Sequence, residues 1–194
     1  GEEAELTWSV TSPTLVIVDH THVPAGLRGT GAGLALVERL VADARAEGFR
    51  SLTCKIFARQ ITDRTLETLL RRPGVSVIFL TRNRIDRYIS DLKGLITGQY
   101  VKADTTAVRP RLELAKFLSN VFSQDRDLEL MYEAVIRSGV PYGHLDYGRD
   151  LDVPDEARAL NVARALRDAG HEPVFTGTRA EKWTVKQDAN PDWR

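Results

Sequence analysis

The period of apolar and polar positions changes several times along the chain, and each change predicts an element. Residues 4–10, AELTWSV, alternate as an edge strand does. Ser12-Pro13 is a turn signal. The apolar run from Thr14 to Val18, continuing to Val23, predicts a second strand paired antiparallel with the first. Leu34, Val37, Leu40, Val41 and Ala44 then recur at helical spacing, on a helix running to Ala46-Glu47-Gly48. Phe49–Phe57 predicts a third strand. Ile61–Arg72 predicts a helix opened by Thr62 or Asp63 and closed by Pro73-Gly74. Val75–Thr81, VSVIFLT, is almost continuously apolar, the pattern of a central parallel strand covered on both faces.

Beyond it the pattern predicts a helix from Arg84 to about Leu95 and a loop over Gly98–Val108. Two helices follow, Pro110–Ser123 and Leu128–Ser138, separated by a polar break. Val140–Tyr147 fits a strand. Pro154–Ala169 is an amphipathic helix with Ala157, Leu160, Ala163 and Leu166 on one face and Gly170 as its stop. A polar stretch follows Val174-Phe175.

Strand and helix alternate from 14 to 97. The expected fold class is therefore α/β: a mainly parallel, doubly wound sheet with helices on both faces and an N-terminal antiparallel hairpin. Ligands of such sheets bind at the carboxyl edge of the strands. A chain of 194 residues holds one good core or two very small ones. The expected organisation is a segment 1–60 and a segment 61–194, packed as one continuous domain.

Composition narrows the partners. Basic and acidic residues balance at 27 each, so charge gives no case for nucleic acid as the main partner. No apolar run approaches the roughly 18 residues of a membrane span, and no signal peptide is read at the start. A single cysteine, Cys54, rules out an internal disulfide and fits a reducing compartment, so the cytoplasm is the expected location. The expected partner is a small-molecule acceptor, without nucleic acid or membrane, and a homodimer is left open.

Between the second strand and its helix lies Arg28-Gly29-Thr30-Gly31-Ala32-Gly33. The first N–H groups of a helix lack intrahelical partners and point beyond its end. Glycines let the backbone approach an anion closely. This is a recipe for holding a phosphate. An ordinary glycine-rich turn would read the same way.

Arg28-x-x-Gly31-x-Gly33, with Asp19-His20-Thr21-His22-Val23-Pro24 ahead of it, resembles the acetyl-CoA pyrophosphate loop of the GNAT N-acetyltransferases. The likeness covers roughly residues 2–60 and is to the small stand-alone bacterial members. It implies acetyl-CoA as cofactor, held by Arg28, Gly29, Thr30, Gly31, Ala32 and Gly33. It also implies backbone polarisation of the thioester from around Val23, with direct attack by an amine. It fixes no general base. His22, at the strand end, and Lys55 are candidate catalytic side chains.

A second constellation follows the apolar run at 75–81. Arg82 leaves the strand end and Ser90 stands eight residues on, along the next helix. A guanidinium and a hydroxyl facing one point clamp a phosphate. A solvated basic helix start explains the same residues. The segment Val77–Gly94 resembles the 3′-phosphate motif of sulfotransferases that use 3′-phosphoadenosine-5′-phosphosulfate (PAPS), and similar text extends from about residue 50 to the end, including Lys55 and Lys182-Trp183…Lys186-Gln187. In that family Arg82 and Ser90 would hold the 3′-phosphate. The family's 5′-phosphosulfate loop has no counterpart here, so the chain looks like a chimera or fusion of the two families.

Both cofactors carry a 3′-phosphoadenosine, so both sites could serve one ligand. Three functions are therefore carried forward: acetyl transfer from acetyl-CoA to an amine, sulfuryl transfer from PAPS to a hydroxyl, and a non-catalytic α/β scaffold. Other groups read as structural. His20 and His22 alternate at a strand end without a third metal ligand nearby. Cys54 reads as a small core residue. His144 and Asp146, two apart on a strand, read as a structural pair with acid–base work as the alternative. Arg71-Arg72 reads as a basic pair at a helix carboxyl end.

Overall fold

The computed structural model describes residues 3–12, 15–49, 51–57, 61–98 and 104–173. The chain divides into two compact units, residues 1–72 and 73–194. The stretch after Val174 and the Lys182–Gln187 segment lie outside the described residues.

The first unit holds β1 (Glu5–Ser12), β2 (Leu15–His22), a short 3-10 turn (Ala25–Leu27), α1 (Ala32–Ala46), β3 (Ser51–Cys54) and α2 (Asp63–Leu70). Its sheet runs β1-β2-β3, with β1 antiparallel to β2 and β2 parallel to β3. The expected hairpin is thus present. A parallel crossover through α1 connects β2 to β3. The apolar stripe of α1 decides how it packs: Leu40 and Ala44 are buried with Val16 and Val18 of β2. Trp8 meets Phe49 edge to face, with ring centroids 6.4 Å apart. α2 opens on Thr62, whose hydroxyl accepts from the Thr65 N–H at 3.2 Å. Arg72, just past its end, pairs with Glu38 of α1, and Arg71 pairs along the helix with Glu67.

The second unit holds β4 (Val77–Thr81), α3 (Arg84–Thr97), α4 (Leu114–Ser138), β5 (Tyr142–Asp146), a π turn (Tyr147–Leu151) and α5 (Asp155–Asp168). β4 and β5 form a two-stranded parallel sheet. One face is covered by α4, where Phe79 stacks on Tyr132 at 3.8 Å between centroids. The other face takes α5 so closely that a Cβ on Gly143 would overlap the Ala165 carbonyl.

Three differences from the sequence pattern have physical causes. The described strands form two sheets, of three and two strands, and do not make up one doubly wound sheet. β4 is accordingly covered at Phe79 but exposed at Ile78 and Leu80. Residues 114–138 form one 25-residue helix. The polar stretch Gln124–Asp127 contains no Gly or Pro to stop it, and Arg84 grips Asp125 there through two nitrogens at 2.9 and 3.0 Å. No helix among the described residues is long and apolar enough to cross a membrane.

Candidate functional site

The glycine loop sits at the carboxyl end of β2. Gly29 and Gly31 have φ of 77° and 94°, in the left-handed region that side chains disfavour. They let the chain fold back within four residues of the 3-10 turn and start α1. Thr30 closes the turn by donating its hydroxyl to the Leu27 carbonyl at 2.7 Å. Arg28 donates Nε to the Val23 carbonyl at 3.2 Å, which ties the loop back to the strand end and leaves the guanidinium exposed.

Gly31 is the N-cap of α1, so no side chain caps this helix, and its first turn carries no acidic residue. The leading N–H groups and the positive end of the helix dipole therefore face outward beside Arg28. Gly33 needs no glycine for the fold: a Cβ there would meet Val23 Cγ2 at an ordinary 3.5 Å.

The strand beside the loop is uneven. The β2–β3 ladder ends at Val18↔Cys54, whereas the β1–β2 ladder runs on to Glu5↔His22. The last residues of β2 thus continue past the point where β3 stops pairing. Between Trp8↔Val18 and Thr7↔His20 the register slips by one, leaving Asp19 as an extra residue in β2. Such a bulge turns the following side chains to the other face. Val16 and Val18 are buried, and His22 is exposed in register with exposed Glu5. Without the slip, His22 would share the face of Val16 and Val18.

Lys55 lies one residue past β3, its Nζ 4.6 Å from the Phe57 ring centroid. Burial pushes the Cys54 thiol up, which fits a core residue and opposes a reactive thiolate. Among the described residues no group of three or more His, Cys, Asp or Glu side chains is placed to hold a metal.

In the second unit Arg82 follows β4 and lies over the Tyr147 ring, 5.1 Å from its centroid. Ser90 is half-buried in α3. Asp91 beside it is held up by burial, against the pull of Arg87 and Arg82. The amino end of α3 is filled from within: Asn83 Oδ1 accepts from the Ile85 and Asp86 N–H groups at 2.9 and 3.3 Å.

His144 and Asp146 serve the local structure. His144 meets Tyr132 edge to face, and Asp146 accepts from the Thr81 hydroxyl at 3.1 Å and the Arg149 N–H at 3.0 Å. Asp150, which sequence reading passed over, is a buried carboxylate enclosed by several donors. It is 1% exposed and accepts from the Asp146 N–H, Arg149 and Arg164. The Arg149 guanidinium, the backbone donor and Arg164 hold it far below the usual carboxylate range.

The first unit's loop geometry coincides with a family match. The GCN5-related N-acetyl-transferase family model matches residues 1–67. That span takes in the loop, the bulged strand and α1, and it contains the segment whose sequence resembles the family. Neither the curated proteins nor the solved structures give a match.

Proposed function

We propose that the first unit binds acetyl-CoA at Arg28–Gly33 and transfers its acetyl group to a primary amine. The observation that carries this reading is the amino end of α1. It is glycine-capped, free of acidic side chains, flanked by an exposed arginine, and set at the carboxyl end of a parallel strand. An internal cap or acid would compete with a diphosphate there. The absence of both favours an anion from outside. The family match over the same residues supports the choice of cofactor.

The donors at Gly31, Ala32 and Gly33 and the Arg28 guanidinium would hold the diphosphate. Gly33 would admit it closely, because nothing else in the fold requires glycine there. The stretch of β2 beyond Val18↔Cys54 offers strand-edge backbone to an extended chain bearing amides, as in β-strand addition. The backbone around Val23 would polarise the acyl carbonyl. Bound acetyl-CoA supplies an activated acyl thioester. The chain contributes position, a polarising donor and a path for the amine proton.

A thermal-shift comparison of acetyl-CoA, PAPS and no ligand tests this. Stabilisation follows RT ln(1 + [L]/Kd), about 2.7 kcal/mol at a hundredfold excess over Kd. Acetyl-CoA raises the melting temperature of the first unit's transition and PAPS does not. A shift with PAPS alone supports sulfuryl transfer instead, and no shift with either supports a non-catalytic scaffold.

A further inference from the structure

The bulge at Asp19 has a chemical consequence. We infer that Glu5 is a positioning residue for His22, and that the two together take the proton from the acceptor amine. This rests on the acetyl-transfer reading above, in which His22 is the candidate base.

The register makes the pair. Glu5 and His22 are directly opposed at the last rung of the β1–β2 ladder, so their Cβ atoms share one face at roughly 4.5–5.5 Å. Both are exposed. The extra residue at Asp19 is what puts them on that face, because strict alternation from buried Val16 and Val18 would turn His22 inward. The rung also lies beyond Val18↔Cys54, the last rung of the β2–β3 ladder. His22 is followed at once by Val23, which receives the Arg28 side chain. The pair therefore stands next to the glycine loop, at the end of β2 past its last rung with β3. Among the described residues, charged groups nearby along the chain are Glu3 and Glu5 from the first strand and its approach, Arg28 on the loop and Lys55 past β3.

A carboxylate beside one imidazole nitrogen fixes the tautomer and leaves the other nitrogen as a lone-pair acceptor. Glu5 thus sets His22 to accept. The ammonium form of the acceptor gives one proton to His22, and the freed nitrogen lone pair forms the C–N bond. The C–S bond breaks, and the departing sulfur takes up the second proton that the nitrogen loses. The products are the N-acetylated amine, the free thiol and a protonated His22, which returns its proton to solvent. The carboxylate also attracts a cationic amine, so the acceptor class is a primary alkylamine carrying positive charge at neutral pH.

The test uses the full chain with Glu5→Gln, His22→Ala and the double variant. Both positions are exposed, so all three fold. Long-range proton–nitrogen spectra of the imidazoles come first and need no cofactor. One neutral tautomer of His22 dominates in the wild type, and the second becomes populated in Glu5→Gln. Unchanged spectra overturn the pairing. Acetyl transfer to a primary alkylamine comes second. His22→Ala lowers kcat about a hundredfold and Glu5→Gln about tenfold. Acetyl-CoA affinity is unchanged in both. Glu5→Gln has no further effect in the His22→Ala background. Full additivity overturns the positioning role. Failure of the wild type to bind acetyl-CoA overturns the underlying reading of the site instead, whatever the spectra show.

Discussion

Helices α1 and α3 each follow a strand of a parallel pair, and they begin in opposite ways. Before α3 stands Asn83, whose side chain accepts two leading N–H groups, with Asp86 in the first turn. Before α1 stands Gly31, with no side chain, and the first turn carries no acidic residue. Each loop carries an arginine. Arg28 is exposed, while Arg82 is half-buried against Tyr147. The second unit continues the same habit at Asp150, whose carboxylate is enclosed by donors of its own chain. At Asn83 and Asp150 the second unit meets backbone donors with its own side chains, whereas the loop before α1 leaves its leading donors uncapped. A fold gains nothing from bare donors, so the contrast is the reason for proposing a binding site at the start of α1.

The comparison breaks most readily at Asp150. Asp150→Ala strands the Asp146 N–H and two guanidinium groups, and costs the second unit about 3 kcal/mol, read as a lower urea midpoint for its transition. The same carboxylate gives a pH dependence. Its folded pKa is depressed, so its contribution is present above the unfolded value and declines as pH falls below about 4. Acid titration followed by circular dichroism should show that loss in the wild type and not in Asp150→Ala.

A smaller effect separates the two helix starts. Asn83→Ala removes the cap of α3 and costs about 1 kcal/mol in chemical denaturation. α1 has no side-chain cap to lose. Gly33→Ala sharpens the contrast further. It leaves denaturant stability within about 0.5 kcal/mol, since its Cβ has room, and on the acetyl-transfer reading weakens acetyl-CoA binding several-fold, because the diphosphate would approach there. A stability loss with unchanged binding would show that Gly33 serves the fold.

Much of this was legible in the sequence. The glycine spacing of Arg28–Gly33 after an apolar strand predicts a tight turn, which Gly29 and Gly31 make with left-handed backbone, and the hairpin, α1, Thr62 as a cap, β5 and α5 follow from local period and turn chemistry. What escaped reading was non-local. A one-residue slip at Asp19 leaves no trace in the alternation of the strand that carries it, because it is defined only against the partner strand. The polar run at 124–127 looks like a break until Arg84, from another helix, is seen to hold Asp125. Asp150 reads as one acid among many in GRDLD, and only burial and Arg164 reveal its role. The division of the strands between two sheets is likewise set by pairing, which period does not encode.

The most direct test of the central claim is calorimetric titration of acetyl-CoA into the wild type and Arg28→Ala. The outward-facing donors at the start of α1 predict one site per chain in the wild type. In Arg28→Ala affinity falls about tenfold or more, the loss of a charge-assisted hydrogen bond to phosphate, while the denaturant midpoint falls only slightly, from loss of the exposed Nε–Val23 bond. Absence of binding in the wild type, or equal affinity in the two proteins, would contradict the account.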